Sequence, residues 1–244
     1  SIEDDCMRRD LTINALYTNI STGEIVDITG KGVDDIKNHI IRTPNDPDTI
    51  YDDDPLRILR CIRFASRYGW EIEYDTYEGM VRNVSRLEII TKERVKDEFC
   101  KMLTCKHPIM AMELLRKIGA MHYVIPELEE TYSMTQNEYH FGTVWEHTMM
   151  VLEGTKDDNM ILRISALLHD IGKIRVCTEE DGKIHFLKHE LKSGEMIDEL
   201  LRPLKFSNEI IKEVTFLVRN HMICKTWGSE CEYMKDKKLR RLQY

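Results

Sequence analysis

The sequence predicts a mainly helical protein with a small β-containing piece at its N-terminus. Three observations carry that reading. From Pro55 onward apolar residues recur at helical spacing, as in Leu56, Leu59 and Ile62. Prolines and glycines such as Pro55, Pro108 and Gly172 stand where helices begin or stop rather than inside them. Before residue 45 the pattern shifts to loose alternation broken by turn residues.

Taken in order, residues 11–19 alternate, Ser21-Thr22-Gly23 turns, and Glu24–Ile28 returns, which reads as a hairpin. Asp34-Asp35-Ile36 starts a short helical piece, and His39–Arg42 is a further strand before Pro44 and Pro47. Helices follow over 54–68, 75–84, 91–104, 107–119, 144–153, 159–171, 187–202 and 207–222. The first is the best marked. Asp52-Asp53-Asp54 precede Pro55; proline suits a first helical turn, and carboxylates suit the positive end of the helix dipole. Lys106-His107-Pro108 separates two helices, and the polar stretch Thr131 to Phe141 reads as a boundary loop. Three regions are expected: 1–45, 46–135 and 136–244.

The chain has 244 residues, enough for one large or two small domains, with 42% hydrophobic and 32% charged residues, an ordinary globular balance. It contains no run of 18 apolar residues, and its N-terminus is acidic rather than signal-like, so a cytoplasmic protein without a membrane span is expected. Seven cysteines, an odd number with no C-x-x-C pair, read as reduced thiols rather than a disulfide framework or a zinc-thiolate site. A net charge of −8 excludes a generic nucleic-acid coat. Local basic tracks remain: Leu56 to Arg67 carries four arginines and no acid, and Arg82 to Lys101 carries six basic residues. Such runs are ordinarily solvated helix faces; only their neighbours argue for a phosphate-facing surface.

Asp54 and Arg57 are three apart, so both can project from one side of a first turn. A carboxylate only accepts hydrogen bonds and a guanidinium only donates them. Cytosine and adenine each present an amino donor beside a ring-nitrogen acceptor, whereas guanine and uracil present the reverse. An Asp–Arg couple would therefore accept C and A and reject G and U. Alone, such a pair is more commonly a helix cap with a surface ion pair.

The flanking motifs decide between these. Arg8-Arg9-Asp10-Leu11-Thr12-Ile13-Asn14-Ala15 comes first, then Asp27-Ile28-Thr29-Gly30-Lys31-Gly32-Val33-Asp34, then Asp53-Asp54-Pro55-Leu56-Arg57, then Glu93-Arg94-Val95-Lys96-Asp97-Glu98. In order and spacing they resemble the bacterial class of tRNA nucleotidyltransferases (CCA-adding enzymes) and poly(A) polymerases. Lys31 stands at the second glycine position of the family pattern and Asp53 at its usual glutamate. The resemblance implies a nucleotidyltransferase head over 1–45 and helical neck and body over 46–135. Arg8, Arg9 and Asp10 would hold triphosphate and ribose, and Asp54 and Arg57 would read the base. Arg60 would belong to the nucleotide site, and Glu93 and Arg94 would brace that helix. It further implies tRNA, CTP and ATP as partners and Mg as cofactor of transfer. The family's Gly-Ser turn and Asp-x-Asp metal pair precede the segment matching Arg8-Arg9-Asp10, so these 244 residues alone are expected to be inactive in transfer.

Six of the nine histidines fall between His140 and His221, around Leu168-His169-Asp170-Ile171-Gly172-Lys173. Imidazole beside carboxylate suits a divalent metal. With His147 lying 22 residues before His169, the pattern resembles the HD superfamily of metal-dependent phosphohydrolases. That resemblance implies His147, His169 and Asp170 as ligands of Mg, Mn, Ni or Zn, with Asp236 as a fourth. His189, His221 and Lys173 would suit phosphate or a second metal. Two alternatives stand beside the transferase reading: an HD phosphohydrolase acting on nucleotides or 2′,3′-cyclic phosphates, and an inert RNA-binding module. Homo-oligomerisation is compatible with each.

Overall fold

The structure, a computed structural model, describes residues 1–136, 142–155 and 158–222. The chain opens with a short helix absent from the sequence reading, α1 (Ile2–Met7). Ser1 and Asp4 form a capping box, and Glu3, Asp4 and Asp5 sit in its first turn. The expected strand over 11–19 is cut short, because Thr12–Asn14 closes into a 3-10 turn. Only β1 (Leu16–Thr18) pairs with β2 (Ile25–Asp27), antiparallel, with Leu16 opposite Asp27 and Thr18 opposite Ile25.

The Asp27 carboxylate accepts bonds from Val33 N at 2.9 Å and Thr29 Oγ1 at 2.8 Å, turning the chain into α2 (Gly32–Asn38). A Cβ at Gly32 would lie 2.7 Å from the Thr12 carbonyl and 2.8 Å from Leu16, so this glycine is demanded by packing. Lys31 is exposed with a negative φ of −124°, so the departure from a second glycine costs nothing there.

His39 ends α2 in the left-handed region. The chain then enters β3 (Ile40–Ile41), whose parallel partner is β4 (Glu71–Ile72) from beyond the next two helices. This pairing ties the N-terminal piece to the helical part. The first of those two helices, α3 (Pro47–Asp53), starts at Asp46, whose carboxylate accepts from Thr49 N at 3.2 Å. The sequence reading placed no helix before residue 54 here.

The second, α4 (Leu56–Tyr68), stops at Gly69 with φ 71°. It buries Ile58, Leu59, Cys61, Ile62 and Ala65 completely, each large aliphatic contributing about 1.5–3 kcal/mol. α5 (Tyr74–Asn83), α6 (Lys92–Leu103) and α7 (Pro108–Lys117) follow, and α4 lies against both α6 and α7.

The C-terminal half consists of α8 (Val144–Gly154), α9 (Met160–Leu168), a single turn α10 (Lys173–Val176), the hairpin β5 (Cys177–Glu180) and β6 (Lys183–Phe186), α11 (His189–Leu201) and α12 (Asn208–Asn220). The hairpin was not expected from sequence; β5 is exposed along its whole length and carries no alternation that would betray it. Buried Arg163 of α9 donates to the carbonyls of Leu103 and Cys105 at the end of α6, and Trp145 of α8 donates to Glu113 of α7. Those bonds, and one apolar core running from Leu11 to Val218, join the two halves.

Candidate metal centre and base-reading helix

α9 ends in an apolar run whose last turn is buried, so the two residues after it, His169 and Asp170, are delivered into the interior rather than to the surface. Gly172 makes this possible. A Cβ there would lie 2.3 Å from Ser193 N and 2.6 Å from the His189 carbonyl, and Gly172 N donates to Ser193 Oγ at 2.8 Å. The backbone after Asp170 therefore lies directly on α11, whose first residue is His189.

Three of the histidines are held in one way. Nδ1 of His169 faces the Ala166 carbonyl at 2.8 Å, that of His189 the Phe186 carbonyl at 2.9 Å, and that of His221 the Val218 carbonyl at 2.7 Å. A carbonyl only accepts, so each Nδ1 carries the proton and each Nε2 presents a lone pair when the ring is neutral. All three Nε2 atoms point at Asp170. His169 Nε2 is 3.1 Å from Oδ2, His189 Nε2 is 3.1 Å from Oδ1, and His221 Nε2 is 3.5 Å from Oδ1. His147, from α8, places its Nε2 3.5 Å from Oδ2 and 3.3 Å from the Nε2 of His169.

Lone pairs converging on a carboxylate repel unless cations or protons lie among them. Lys173 supplies one positive charge, its Nζ lying 2.7 Å from Asp170 Oδ2 and 2.7 Å from Gln136 Oε1. Burial pushes the Asp170 carboxyl up; with protons also on the Nε2 atoms, the bonds donated by His169, His189 and His221 outweigh it and hold the group far below the usual carboxylate range. Asp170 is thus a fixed anion at 2% exposure.

Two groups of potential ligand atoms, each within 4.8 Å, share it: His147, His169 and Asp170 on one side, and Asp170, His189 and His221 on the other. Neutral imidazoles with a carboxylate are the donor set of a divalent transition metal, so the residues present fit one. The structure therefore gathers five of the sequence-predicted residues around Asp170, Lys173 included. Asp236 lies outside the described residues. Gln136 was not singled out from sequence, and nothing in its polar loop setting marks it.

At the other end of the chain, Asp54 and Arg57 both lie where α4 starts, and Arg57 N donates to the Asp54 carbonyl at 3.0 Å, yet their side chains do not bond each other. Asp54 sits in extended backbone between α3 and α4. Its Oδ1 accepts from Leu56 N at 3.2 Å, and its Oδ2 accepts from Arg94 Nη2 at 2.7 Å. Arg57 turns back to donate to the Ile50 carbonyl at 3.0 Å and approaches Asp53 at 3.5 Å. The extra helix α3 explains the difference, because the Ile50 carbonyl within it takes the guanidinium.

Asp10 is buried, and both its oxygens are engaged. Leu11 N and Asn14 Nδ2 donate to Oδ1 at 3.0 Å each, and Arg60 donates to Oδ2 through Nε at 2.8 Å. Sequence reasoning put Asp10 and Arg60 separately at a nucleotide; the structure has them clasp each other, joining the N-terminal piece to α4. Arg9 binds Asp5 at 2.7 Å and Tyr17 at 3.2 Å, and exposed Arg8 reaches the Asp4 carbonyl at 3.4 Å. Glu98, the last member of the Glu93-Arg94 motif, is buried against Arg63 at 2.6 Å and so locks α6 to α4.

Comparison with known proteins finds three matching segments. Residues 1–42 match the poly A polymerase head domain, residues 69–131 the probable RNA and SrmB-binding site of polymerase A, and residues 137–239 the HD domain. The multifunctional CCA protein of Neisseria gonorrhoeae (strain NCCP11945) is 33% identical over 229 residues, 91% of this chain and 54% of that protein. The multifunctional CCA protein of Actinobacillus pleuropneumoniae serotype 5b is 33% identical over 237 residues, 92% of this chain and 56% of that protein.

Among solved structures, the Bacillus stearothermophilus CCA-adding enzyme in complex with CTP shares the fold at a TM-score of 0.65 and 22% identity, over 99% of this chain and 51% of that one. The Thermotoga maritima CCA-adding enzyme complexed with tRNA does so at 0.59 and 22%, over 94% and 50%. The chain spans about half the length of the curated relatives it matches. With its head, RNA-binding and HD segments in that order, it belongs to the family of tRNA nucleotidyltransferases (CCA-adding enzymes) and poly(A) polymerases.

Proposed function

We propose that this chain serves tRNA 3′-end CCA addition, using CTP and ATP, with residues 1–45 as part of the nucleotidyltransferase head, 46–135 as neck and body, and 136–244 as an HD domain. The observation that carries this is the position of Asp54. Its carboxylate stands at the start of α4, half-buried, braced by Arg94 from α6, with Arg57 one turn away. There it accepts a bond from the amino group of cytosine or adenine, and Arg57, released from the Ile50 carbonyl, donates to the ring nitrogen. Arg8 and Arg9 are exposed on the same N-terminal piece that Asp10 fastens to α4 through Arg60, and they provide charge for a triphosphate.

The clasp between Asp10 and Arg60 then positions the head against the reading helix rather than touching the nucleotide. Mg would serve transfer in the intact enzyme, and the protein would act in the cytoplasm. Among the described residues no helix is long and apolar enough to cross a membrane. Titration with CTP, ATP, GTP and UTP tests the reading: CTP and ATP should bind in preference, and Asp54→Ala should abolish the preference. Equal affinity for all four would refute it.

A second activity is favoured by the two ligand groups sharing Asp170. We infer a phosphohydrolase centre acting on nucleotides or 2′,3′-cyclic phosphates. His147, His169 and Asp170 would hold one divalent cation, Mg, Mn, Ni or Zn, and His189 and His221 with Asp170 would hold a second or meet phosphate. Such a cation supplies Lewis-acid polarisation of a phosphoryl oxygen and an acidified water. The chain's own part is to fix the ligands: three backbone carbonyls set the imidazole tautomers, and Lys173, steadied by Gln136, offsets the Asp170 charge. Hydrolysis of 2′,3′-cyclic AMP that depends on added metal and is lost in His169→Ala would support it. No turnover with any of the four metals would overturn it.

A further inference from the structure

Arg57, Arg60, Phe64, Arg67 and Tyr68 recur along α4 at spacings of three and four, so they share one face, opposite the completely buried Leu59 and Ile62. The aromatic members continue past the end of the helix as a ladder of rings. Phe64 and Tyr68 are stacked with centroids 6.1 Å apart, Tyr68 and Trp70 lie 4.9 Å apart, and Trp70 stacks on His39 at 5.1 Å. Parallel rings in contact are about 3.5–4 Å apart face to face. A centroid distance of 6.1 Å therefore means that Phe64 and Tyr68 overlap only at their margins. Tyr68 is 41% exposed, and His39 at the far end of the ladder is exposed as well.

Arginines edge this ladder. Arg63 lies 4.2 Å over Phe64, and Arg67 lies 5.5 Å over Tyr68. The other arginines of the helix are ion-paired: Arg57 with Asp53, Arg60 with Asp10, and Arg63 with Glu98. Arg67 has no carboxylate partner among the described residues, so its charge is available to an incoming anion. Flat rings beside an uncompensated guanidinium make the pattern that holds unpaired nucleotides, since every base has a face to stack and every link a phosphate.

We propose that Phe64, Tyr68, Trp70 and His39, with Arg67, form a stacking face for single-stranded RNA. The face begins at Phe64, roughly 12 Å along α4 from its first residue, Leu56, at 1.5 Å per residue, and a strand whose 3′ end reaches Asp54 would leave along it. This geometry rests on the base-reading role of Asp54; the stacking face itself does not require it.

The test is binding of a labelled single-stranded oligo(C) RNA to the full chain by fluorescence anisotropy, over a series of salt concentrations, with CTP titrated separately. Tyr68→Ala should weaken RNA roughly five- to tenfold, in line with stacking energies for one base, with CTP binding and salt slope unchanged. His39→Asn, chosen because asparagine tolerates the left-handed backbone of His39, should do the same. Arg67→Ala should reduce the slope of log affinity against log salt by roughly 0.7, and Arg67→Lys should restore it.

Unchanged RNA affinity in Tyr68→Ala and His39→Asn, with native circular dichroism, would overturn the proposal. So would competition by poly-glutamate as effective as by unlabelled RNA, which would make the face a general anion or protein surface. If the unaltered chain failed to bind CTP while Tyr68→Ala still weakened RNA, the base-reading role would fall and the stacking face would stand.

Discussion

The Asp54 carboxylate bonds the Arg94 guanidinium at 2.7 Å, not that of Arg57. The carboxylate therefore belongs to two helices at once, α4 by its position at the helix start and α6 by its partner. A base that docks on Asp54 meets an acceptor whose orientation Arg94 sets. Arg57 is held in reserve on the Ile50 carbonyl.

Arg94→Ala should accordingly lower affinity for CTP and ATP without much loss of fold. The pair is half exposed, with side-chain exposures of 49% and 28%, and exposed pairs contribute about 0–1 kcal/mol to stability. Asp54→Ala should weaken CTP and ATP roughly tenfold or more, because an unpaired polar group costs about 1–3 kcal/mol. The double variant should be less than additive, since both act through one carboxylate. Nucleotide titration with thermal melts separates the two effects; a fall in melting temperature with an unchanged CTP:GTP ratio would reduce Asp54 to a helix cap.

The two ligand groups around Asp170 make a separate expectation. Metal analysis after dialysis should find divalent cation on the unaltered chain and none on Asp170→Ala, which removes the residue common to both groups. His221→Ala should spare the cation held by His147 and His169 while removing any held with His189. Identical stoichiometry in all three proteins would refute the assignment.

Much of this was legible in the sequence because it is local. Pro55 after three aspartates marks α4, and the apolar run before His169 marks α9, each within a single turn. The His169-Asp170 dipeptide could be read for the same reason, since the two candidate ligands are adjacent. What escaped was decided at a distance. The partner of Asp54 is forty residues away, that of Asp10 is fifty away on α4, and β4 pairs with β3 across two intervening helices.

The hairpin β5–β6 and the helices α1 and α3 escaped for another reason. They are short and capped by side chains, or exposed, and so lack the periodicity that reports burial. Gly172 is a middle case: its place after His169-Asp170 read as a helix stop, but only the packing of α11 shows that a methyl group has nowhere to go.

That packing gives a further prediction. Gly172→Ala should destabilise the chain by about 1–3 kcal/mol, the usual cost of overpacking, because its Cβ would press on backbone atoms of Ser193 and His189 rather than on a flexible side-chain end. The displacement would move His189 from Asp170, so metal affinity should fall together with stability. Gly154→Ala is the control: a Cβ there meets nothing within 4 Å, and helix propensity favours alanine. Chemical denaturation of the two variants decides it; equal stability would show that α11 can slide to accommodate the methyl group.

Glu73 gives the pH dependence of the joint between the N-terminal piece and the helices. Its Oε2 accepts from Thr76 N at 2.9 Å and Thr76 Oγ1 at 2.8 Å, capping α5, and its Oε1 lies 3.4 Å from Arg42 beside β3. Burial pushes the carboxyl up, but the Thr76 bonds and the Arg42 charge together bring it below the ordinary glutamate value of 4.5. A carboxyl depressed on folding stabilises the folded state fully above its unfolded pKa and loses that contribution as pH falls through the folded value.

Glu73→Gln keeps an acceptor for Thr76 but carries no charge for Arg42. It should be less stable than the unaltered chain by about 1 kcal/mol at neutral pH, by a constant margin down to roughly pH 5. The margin should then close on further acidification, as protonation makes Glu73 resemble its amide. Urea unfolding of both proteins from neutral to strongly acid pH measures it. A margin that widened on acidification, or that persisted unchanged below the folded pKa, would show that Arg42 does not draw on the Glu73 charge.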